Sequence, residues 1–304
     1  MRVIVFSKDR PLQLEGYLAS LLHYSGLPQS AVTVLFVEDP SYAPLAAQYP
    51  GVHWLAESGG FHATLEKWLA ELPDAEPVFF GCDDVVFFNR FDPAQLAAYL
   101  HEHPECAGFT VRSGSNSQGA GAVIPPGTPA GAVVVWDAAP EPPAGLQDAR
   151  HFFGYPFEVM GTAYRAGLVR RMFAWMAAHG LRYRGPNDFE GAGMRMLRRK
   201  RVGLWRRLVR RLSGKGPVAG DGARLLPEAK LAMFNAPSCC AAQDVNRVQD
   251  LAKNLIQGGM AEDAGELKRK FMAGWRMEWR HMDGLLPPSA FIGMTQWRLS
   301  PPAP

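Results

Sequence analysis

Short apolar runs alternate with segments of helical periodicity along the first 112 residues, and this alternation most constrains the fold. Val3–Phe6, Val32–Val37 and Pro77–Phe80 are typical of strands, whereas Leu12–Leu22 and Phe61–Leu72 repeat leucine at helical spacing. Strands separated by helices need crossover connections, and continuously apolar strands are typical of sheets buried on both faces. The pattern predicts an α/β fold with a Rossmann-like, mainly parallel sheet flanked by helices.

Composition excludes several classes of protein. Hydrophobic residues make up 47% of the chain and charged residues 20%, which excludes an intrinsically disordered protein. No apolar run reaches the roughly 18 residues that a membrane span needs, and the N-terminus becomes polar too early for a signal peptide. The four cysteines contain no C-x-x-C pair. These features predict a protein of the reducing cytoplasm.

Three common nucleotide and hydrolase motifs are absent from the sequence. No G-x-G-x-x-G follows the first strand, so a dinucleotide-binding Rossmann site is unsupported. The chain also contains neither the G-x-x-x-x-G-K-[ST] pattern of P-loops nor the G-x-S-x-G turn of α/β-hydrolases. A different phosphate-binding or catalytic arrangement is therefore expected.

Charged side chains follow three of the predicted strands, where parallel sheets bind their ligands. Arg10 follows the first strand, Glu38 and Asp39 the second, and Asp83 and Asp84 a third. Asp39 precedes a proline, so a turn or helix N-cap is an equal alternative for it. Two adjacent carboxylates between apolar runs repel each other, and a divalent cation would relieve that repulsion. The alternative for this pair is a solvated turn.

In this order the three segments resemble the nucleotide-binding half of GT-A glycosyltransferases. Val-Ile-Val-Phe-Ser-Lys-Asp-Arg-Pro is similar to the opening strand and the N/D-R-P helix start of that superfamily. Val-Leu-Phe-Val-Glu-Asp-Pro-Ser resembles the second strand, and Phe-Phe-Gly-Cys-Asp-Asp resembles the strand that carries a D-x-D or E-D-D motif. The resemblance is nearest to N-acetylglucosaminyltransferase I and to family 2-like enzymes.

The resemblance implies a nucleotide-diphosphate sugar donor, with UDP as the usual nucleotide. The residues that it assigns to the donor are Ser7, Arg10, Glu38, Asp39 and Asp83. Asp84, together with Asp83, would bind Mn²⁺ or Mg²⁺ on the diphosphate. Cys82 departs from the motif, because the family has a carboxylate at that position.

An inverting transferase also needs a base that deprotonates the acceptor hydroxyl. Relatives place an Asp or Glu at a late helix start, and the segment Gly185-Pro-Asn-Asp-Phe-Glu190 fits that place. Asp188 is the first choice and Glu190 the second. The alternative is a capping box with Asn187 as N-cap and Glu190 three residues later. The resemblance implies a glycan or glycolipid acceptor.

The sequence predicts a division of the chain into four parts. Residues 1–112 would form the nucleotide-sugar-binding half, and residues 113–200 would form the acceptor-binding and catalytic half of the same domain. Residues 201–216 would be a basic amphipathic segment, and residues 217–304 a C-terminal helical extension.

Positive charge is concentrated in the basic segment and just before it. Ten of the 32 Lys and Arg residues lie within residues 195–215, which contain no Asp or Glu. On a helical wheel, residues 202–212 place Trp and Leu on one face and Arg on the other, which suits an anionic membrane surface. A helix packed on the protein's own core is an equal alternative, and no nucleic-acid motif is present. The segment therefore predicts a cytoplasmic protein that could lie peripherally on the inner face of a membrane.

Two other functions stay open at this stage. A sugar-nucleotide nucleotidyltransferase would share the fold, although the Gly-rich, Arg-containing loop that usually follows its first strand is absent. A non-catalytic nucleotide-binding or membrane-associated module of the same fold is the second alternative, since Cys82 departs from the motif.

Overall fold

A computed structural model describes residues 1–137, 152–181, 183–197, 230–243, 263–293 and 296–302 of the 304-residue chain. The described α-helices are α1 Pro11–Ser25, α2 Ala43–Gln48, α3 Phe61–Ala70, α4 Pro93–Glu102, α5 Ala166–Ala178, α6 Pro186–Leu197 and α7 Ala264–Met272. The described strands are β1 Arg2–Ser7, β2 Val32–Phe36, β3 His53–Ala56, β4 Pro77–Cys82, β5 Val85–Phe87, β6 Cys106–Thr110, β7 Val133–Asp137, β8 Thr162–Arg165, β9 Lys230–Phe234, β10 Cys240–Gln243, β11 Arg276–Met277, β12 Phe291–Ile292 and β13 Leu299–Ser300.

Within these ranges the main sheet has eight strands in the order β3-β2-β1-β4-β8-β6-β9-β7. The first four strands pair in parallel, β8 pairs antiparallel with both of its neighbours, and β7 forms an antiparallel edge. Because β6 and β9 run in the same direction as β1, the sheet is mainly parallel. The predicted α/β fold class is confirmed.

Helices cover both faces of this sheet. One apolar cluster contains Leu14 and Leu18 of α1 and Leu96 of α4, and a second contains Leu65 of α3 and Met172 of α5. The strands between them are buried on both sides, since the β1 residues after Arg2 are all buried. This explains the continuous apolar character of Val3–Phe6, because neither face of the strand meets water.

The described part of residues 217–304, for which a helical extension was predicted, contains strands as well as helix α7. Strand β9 inserts between β6 and β7 in the main sheet, and β10 pairs with β5 and β12 in a second sheet. Among the described residues of this region, α7 is the α-helix. Strand β9 has the sequence Lys-Leu-Ala-Met-Phe, which is too short for periodicity to distinguish a strand from a helix.

The basic segment at residues 202–212, with its predicted membrane contact, lies outside the described residues. Among the helices that are described, none is both long and apolar enough to cross a bilayer. All four cysteines are free thiols, and Cys106, Cys239 and Cys240 are buried.

Candidate active site

The carboxyl ends of β1 and β4 meet at the buried carboxylate of Asp83. Ser7 Oγ donates to Asp83 Oδ2 at 2.8 Å, and the backbone N–H of Lys8 donates to the same oxygen at 3.3 Å. Ser7 Oγ also lies 2.8 Å from the hydroxyl of Tyr42. The parallel pairing of β1 with β4 sets this contact, since it places Phe6 opposite Cys82.

Arg10 joins the two adjacent acids, and we call Arg10, Asp83 and Asp84 the strand-end cluster. One guanidinium nitrogen, Nη1, lies 3.1 Å from Asp83 Oδ1 and 2.9 Å from Asp84 Oδ2. Burial lowers the pKa of Arg10, but the two carboxylates outweigh burial and raise it above its usual value. Burial raises the pKa of Asp83, Arg10 opposes that rise and Asp84 adds to it. The arginine therefore offsets part of the repulsion between the two acids.

The second oxygen of Asp84 has a different environment. Asp84 Oδ1 is buried and accepts no hydrogen bond within the described part of the chain. The carboxylate borders a narrow recess that is also lined by Asp83, Gln13, Val85, Gln243, Met277 and Trp297. A buried carboxylate oxygen without a donor is energetically costly, so this atom is suited to a cation that approaches it. Among the described residues, no group of three or more His, Cys, Asp and Glu side chains is arranged to hold a metal ion.

Asp39 at the end of β2 combines a capping role with an ion pair. Its Oδ1 accepts hydrogen bonds from the backbone N–H and the Oγ of Ser41, at 2.9 and 2.5 Å. Its Oδ2 lies 2.9 Å from Lys268 Nζ on α7, and the same nitrogen lies 3.2 Å from Asp9 Oδ1. The hydrogen bonds from Ser41 and then the one from Lys268 lower the pKa of Asp39 to about 2. Glu38, the neighbouring candidate, is exposed.

A second charged cluster lies at the same edge of the sheet, beyond the end of β6 and before the start of β8. Arg112 and Glu158 have side chains that are 2% and 3% exposed, and Arg112 Nε lies 3.5 Å from Glu158 Oε2. The backbone N–H of Met160 donates to Glu158 Oε2 at 2.7 Å, and Thr162 Oγ1 donates to Glu158 Oε1. Glu158 is thus held by two hydrogen bonds and one ion pair.

Glu190 on α6 completes this group, and we call Arg112, Glu158 and Glu190 the inner cluster. The backbone N–H of Val159 donates to Glu190 Oε1 at 3.4 Å, and the hydroxyl of Tyr155 forms a hydrogen bond with Glu190. Burial, and then the charge of Glu158, raise the pKa of Glu190 to about 7, although Arg112 opposes this rise.

Cys82 lies between the two clusters. Its Sγ is 3.5 Å from the carbonyl oxygen of Val159, the residue that contacts Glu190. Burial raises the pKa of the Cys82 thiol, and the acids of the strand-end cluster and then Glu190 raise it further. Cys82 therefore connects the two clusters spatially, and its neutral thiol adds no third negative charge to the strand-end cluster.

Asp188, the first choice for a base in the sequence, lies apart from these groups. Its Oδ2 accepts a hydrogen bond from the backbone N–H of Arg184 at 3.2 Å and lies 3.6 Å from Arg184 Nε, where both side chains are partly exposed. The alternative capping box is wrong, because α6 begins at Pro186 and Asn187 is already inside the helix. Proline at the first helical position needs no N–H partner, which favours this earlier start.

Sequence reasoning missed Arg112, Glu158 and Lys268. Arg112 lies two residues after the end of β6, so its place near a strand end was a usable signal of the kind that identified Arg10. Glu158 precedes an antiparallel strand, and Lys268 comes from a helix far along the chain. Only the folded topology brings Glu158 and Lys268 to this edge of the sheet.

A comparison with known proteins gives one significant sequence relative. The chain is 27% identical over 128 residues to the bifunctional glycosyltransferase pgtA of Dictyostelium discoideum, which is 38% of this chain and 16% of that protein. The match therefore spans about one sixth of the length of this relative. No family model matches the chain.

Solved structures resemble the chain more loosely. S. aureus TarS 1-349 superposes with a TM-score of 0.36 and 18% identity, over 64% of this chain and 56% of that one. The mannosyltransferase PcManGT of Pyrobaculum calidifontis, solved with GDP-Man and Mn²⁺, gives a TM-score of 0.33 and 14% identity, over 56% and 46%. A 4-diphosphocytidyl-2C-methyl-D-erythritol synthase gives 0.33 and 13%, over 70% and 98%.

The sequence relative is a glycosyltransferase, as the three strand-end motifs predicted, and the mainly parallel sheet is of the kind found in the GT-A fold. The chain is thus similar, over part of its length, to a glycosyltransferase, and its described fold is consistent with the GT-A class.

Proposed function

We propose that the protein is a glycosyltransferase that moves a sugar from a nucleotide-diphosphate donor to a glycan or glycolipid acceptor. The strand-end cluster is the observation that carries this proposal. It places a partly buried arginine and two carboxylates at the carboxyl ends of β1 and β4. Ligands of open parallel sheets bind at that edge, and Arg10 offers a charge for donor phosphates there.

The donor would enter beside β1 and β2, with UDP as its nucleotide. The low pKa of Asp39, which Ser41 and Lys268 stabilise, keeps this carboxylate ionised and able only to accept hydrogen bonds at neutral pH. An ionised carboxylate suits the N–H edge of a base such as uracil. Ser7, Arg10 and Asp83 would face the ribose and the diphosphate, and Glu38 would lie at the outer rim.

The residues present also fit a divalent cation. Asp84, whose buried Oδ1 accepts no hydrogen bond from the described residues, would bind Mn²⁺ or Mg²⁺ together with Asp83. When bound, such an ion would supply positive charge beside the leaving diphosphate. Arg10 contributes positive charge of its own at the same place, since it contacts both acids.

For the base of an inverting reaction we favour Glu190 over Asp188. The acceptor oxygen would form a bond to the sugar carbon as the bond from that carbon to the diphosphate breaks. The diphosphate leaves with the bonding electron pair, and the hydroxyl proton passes to a carboxylate. Glu190 suits this role, because its pKa of about 7 lies near the working pH and Cys82 links it to the strand-end cluster. Asp188 instead forms an ion pair with Arg184.

The acceptor is the least constrained part of the proposal. A glycolipid acceptor would agree with the membrane contact predicted for residues 202–212, and with a cytoplasmic protein peripheral to the inner membrane face. Vesicles of anionic lipid test this contact directly, since electrostatic binding would weaken at high salt.

The test begins with a thermal-shift panel of UDP, GDP and CDP sugars, each with and without Mn²⁺. A ligand that binds only the folded state raises the melting temperature, so the sugar nucleotide with the largest rise is the preferred donor. Donor hydrolysis and transfer are then measured for Asp84→Asn, which should lose about 10³-fold in turnover. Glu102→Gln on the exposed part of α4 is the matched control and should keep full turnover.

Two results would overturn the proposal. Release of pyrophosphate from a nucleoside triphosphate and a sugar phosphate would identify a nucleotidyltransferase. Binding of a sugar nucleotide without hydrolysis or transfer to any of the glycan and glycolipid acceptors supplied would identify a non-catalytic module.

A further inference from the structure

The inner cluster contains two carboxylates but one guanidinium, so its charges do not cancel. Arg112 and Glu158 are both buried, and Glu190 is partly buried beside them. Two carboxylates that share a poorly solvated site do not ionise equally easily, because each negative charge opposes the other. The charge of Glu158 accordingly raises the pKa of Glu190.

The contacts show which carboxylate holds its charge more easily. Glu158 is near Arg112 and accepts hydrogen bonds from Met160 N–H and Thr162 Oγ1. Glu190 accepts one long hydrogen bond, at 3.4 Å from Val159 N–H, besides its contact with Tyr155. Hydrogen bonds and an opposite charge favour the ionised form of a carboxylate, and Glu158 has more such contacts than Glu190.

The sheet fixes Arg112 and Glu158 before any ligand binds. Val111 N–H donates to Gly161 O at 3.0 Å, which joins the end of β6 to the start of β8. Gly161 has a φ of 126°, and a Cβ there would lie 2.7 Å from Cys240 Sγ and 3.3 Å from Arg112 Cβ. A side chain at this position would clash with Cys240 Sγ and crowd Arg112, and the φ value is strained for any residue except glycine, so the glycine is required for this close packing.

We propose that the Arg112–Glu158 ion pair is a positioning pair that makes Glu190 the group that receives the proton in the transfer reaction. The inference rests on the proposed function and adds two residues to it. Glu158 acts through its charge, and Arg112 forms the ion pair that holds the Glu158 carboxylate in place. Neither residue needs to touch the substrate.

The groups that face Glu190 come from several elements. The charged and titratable side chains among them are Glu158, Arg112, Tyr155, Tyr164 and Cys82. Burial raises the pKa of Tyr155, Tyr164 and Cys82 further above neutral pH, so these three stay uncharged there. Besides burial, the ionisation of Glu190 near neutrality therefore depends on the opposing charges of Glu158 and Arg112.

Glu158→Gln tests the pair through the pH dependence of turnover. A carboxylate base is active when ionised, so turnover of the unaltered protein should rise as the pH increases through about 7. The variant removes a like charge, which should move this rise to lower pH by about one unit. Glu158→Asp keeps the charge and should keep the profile near its original position. Thr162→Val removes the hydrogen bond that Thr162 Oγ1 donates to Glu158, and it should shift the pH profile in the same direction by a smaller amount.

An independent measurement separates this inference from the proposed function. The carboxyl carbon of Glu190 can be followed by ¹³C NMR, with its signal assigned by its loss in Glu190→Gln. Its titration midpoint should fall in Glu158→Gln and stay in Glu102→Gln. An unmoved midpoint in folded Glu158→Gln overturns the positioning pair, even if the protein transfers sugar. A moved midpoint in a protein without donor turnover supports the pair and overturns the proposed function alone.

Discussion

The strand-end cluster and the inner cluster each combine two carboxylates with one arginine, at the same edge of the sheet. In the strand-end cluster Arg10 lies within 3.1 Å of both acids, whereas in the inner cluster Arg112 lies 3.5 Å from Glu158. The arginine of the first cluster contacts both acids and offsets part of their charge, although burial still raises the pKa of Asp83 to about 6. In the second cluster the arginine serves mainly Glu158, and Glu190 keeps a pKa near 7.

This difference suits the two clusters to different chemistry. A pair of anions with a shared cation, and with one carboxylate oxygen still without a donor, is suited to bind phosphates and a metal ion. A carboxyl group that gains and loses a proton near neutral pH is suited to proton transfer. The separation of pKa values between neighbouring acids is the usual way in which one site obtains both functions.

The largest expected effect comes from removing each arginine. Arg112→Met should lower the free energy of unfolding by about 3 to 5 kcal/mol at neutral pH, because it leaves a buried carboxylate uncompensated. Arg10→Met should cost less, about 2 kcal/mol, since Asp84 is 19% exposed and can be partly solvated. Urea unfolding measures both, with Arg2→Met on the exposed start of β1 as the control. Mn²⁺ should raise the free energy of unfolding of Arg10→Met but not that of Arg112→Met. An equal rise in both variants would contradict the distinction between the clusters.

A smaller effect of opposite sign is expected at Glu190. Its pKa is about 7 in the folded state against an ordinary 4.5, so protonation stabilises the fold. That stabilisation is complete below about pH 4.5 and is lost as the pH rises through about 7. Glu190→Gln should therefore be more stable than the unaltered protein by about 2 kcal/mol at pH 8, and by little at pH 5. Urea unfolding at the two pH values checks this, and a variant that is equally stable or less stable at pH 8 would contradict the raised pKa.

The smallest effect is expected at Lys268, which belongs to neither cluster. Its ion pairs with Asp9 and Asp39 are partly exposed, so Lys268→Ala should lower the free energy of unfolding by less than about 1 kcal/mol. The loss should disappear at about 1 M salt, where screening extends over about 3 Å. Urea unfolding at low and high salt measures the change in free energy. A larger decrease that does not depend on salt would show that these exposed ion pairs behave like a buried cluster.

The strand-end cluster was predictable because its acids are adjacent in sequence and its strands are strongly apolar. Parallel strands bring their carboxyl ends together, so Arg10, Asp39 and Asp83 could be assigned to one edge before any coordinates were known. The N-cap alternative for Asp39 was also sound, since Asp39 caps the turn at Ser41. The carboxylate of Asp39 thus accepts the capping hydrogen bond from Ser41 and also forms an ion pair with Lys268.

The inner cluster was not predictable in the same way. Arg112, Glu158 and Glu190 are far apart in sequence, and they meet because β8 reverses direction between β4 and β6. Nothing in the local pattern of residues 158–165 distinguishes a parallel from an antiparallel strand. The same limitation applies to β9, whose position depends on tertiary pairing and not on its five residues alone.

The place of β9 in the sheet also orders events during synthesis on the ribosome. Among the described strands, β7 pairs with β9 and with no other, although β7 ends at Asp137 and β9 begins at Lys230. Residues 133–137 can therefore pair with β9 only after more than ninety further residues have been translated. A nascent chain that stalls in this interval exposes the open edges of β6 and β7, which makes it a substrate for chaperones.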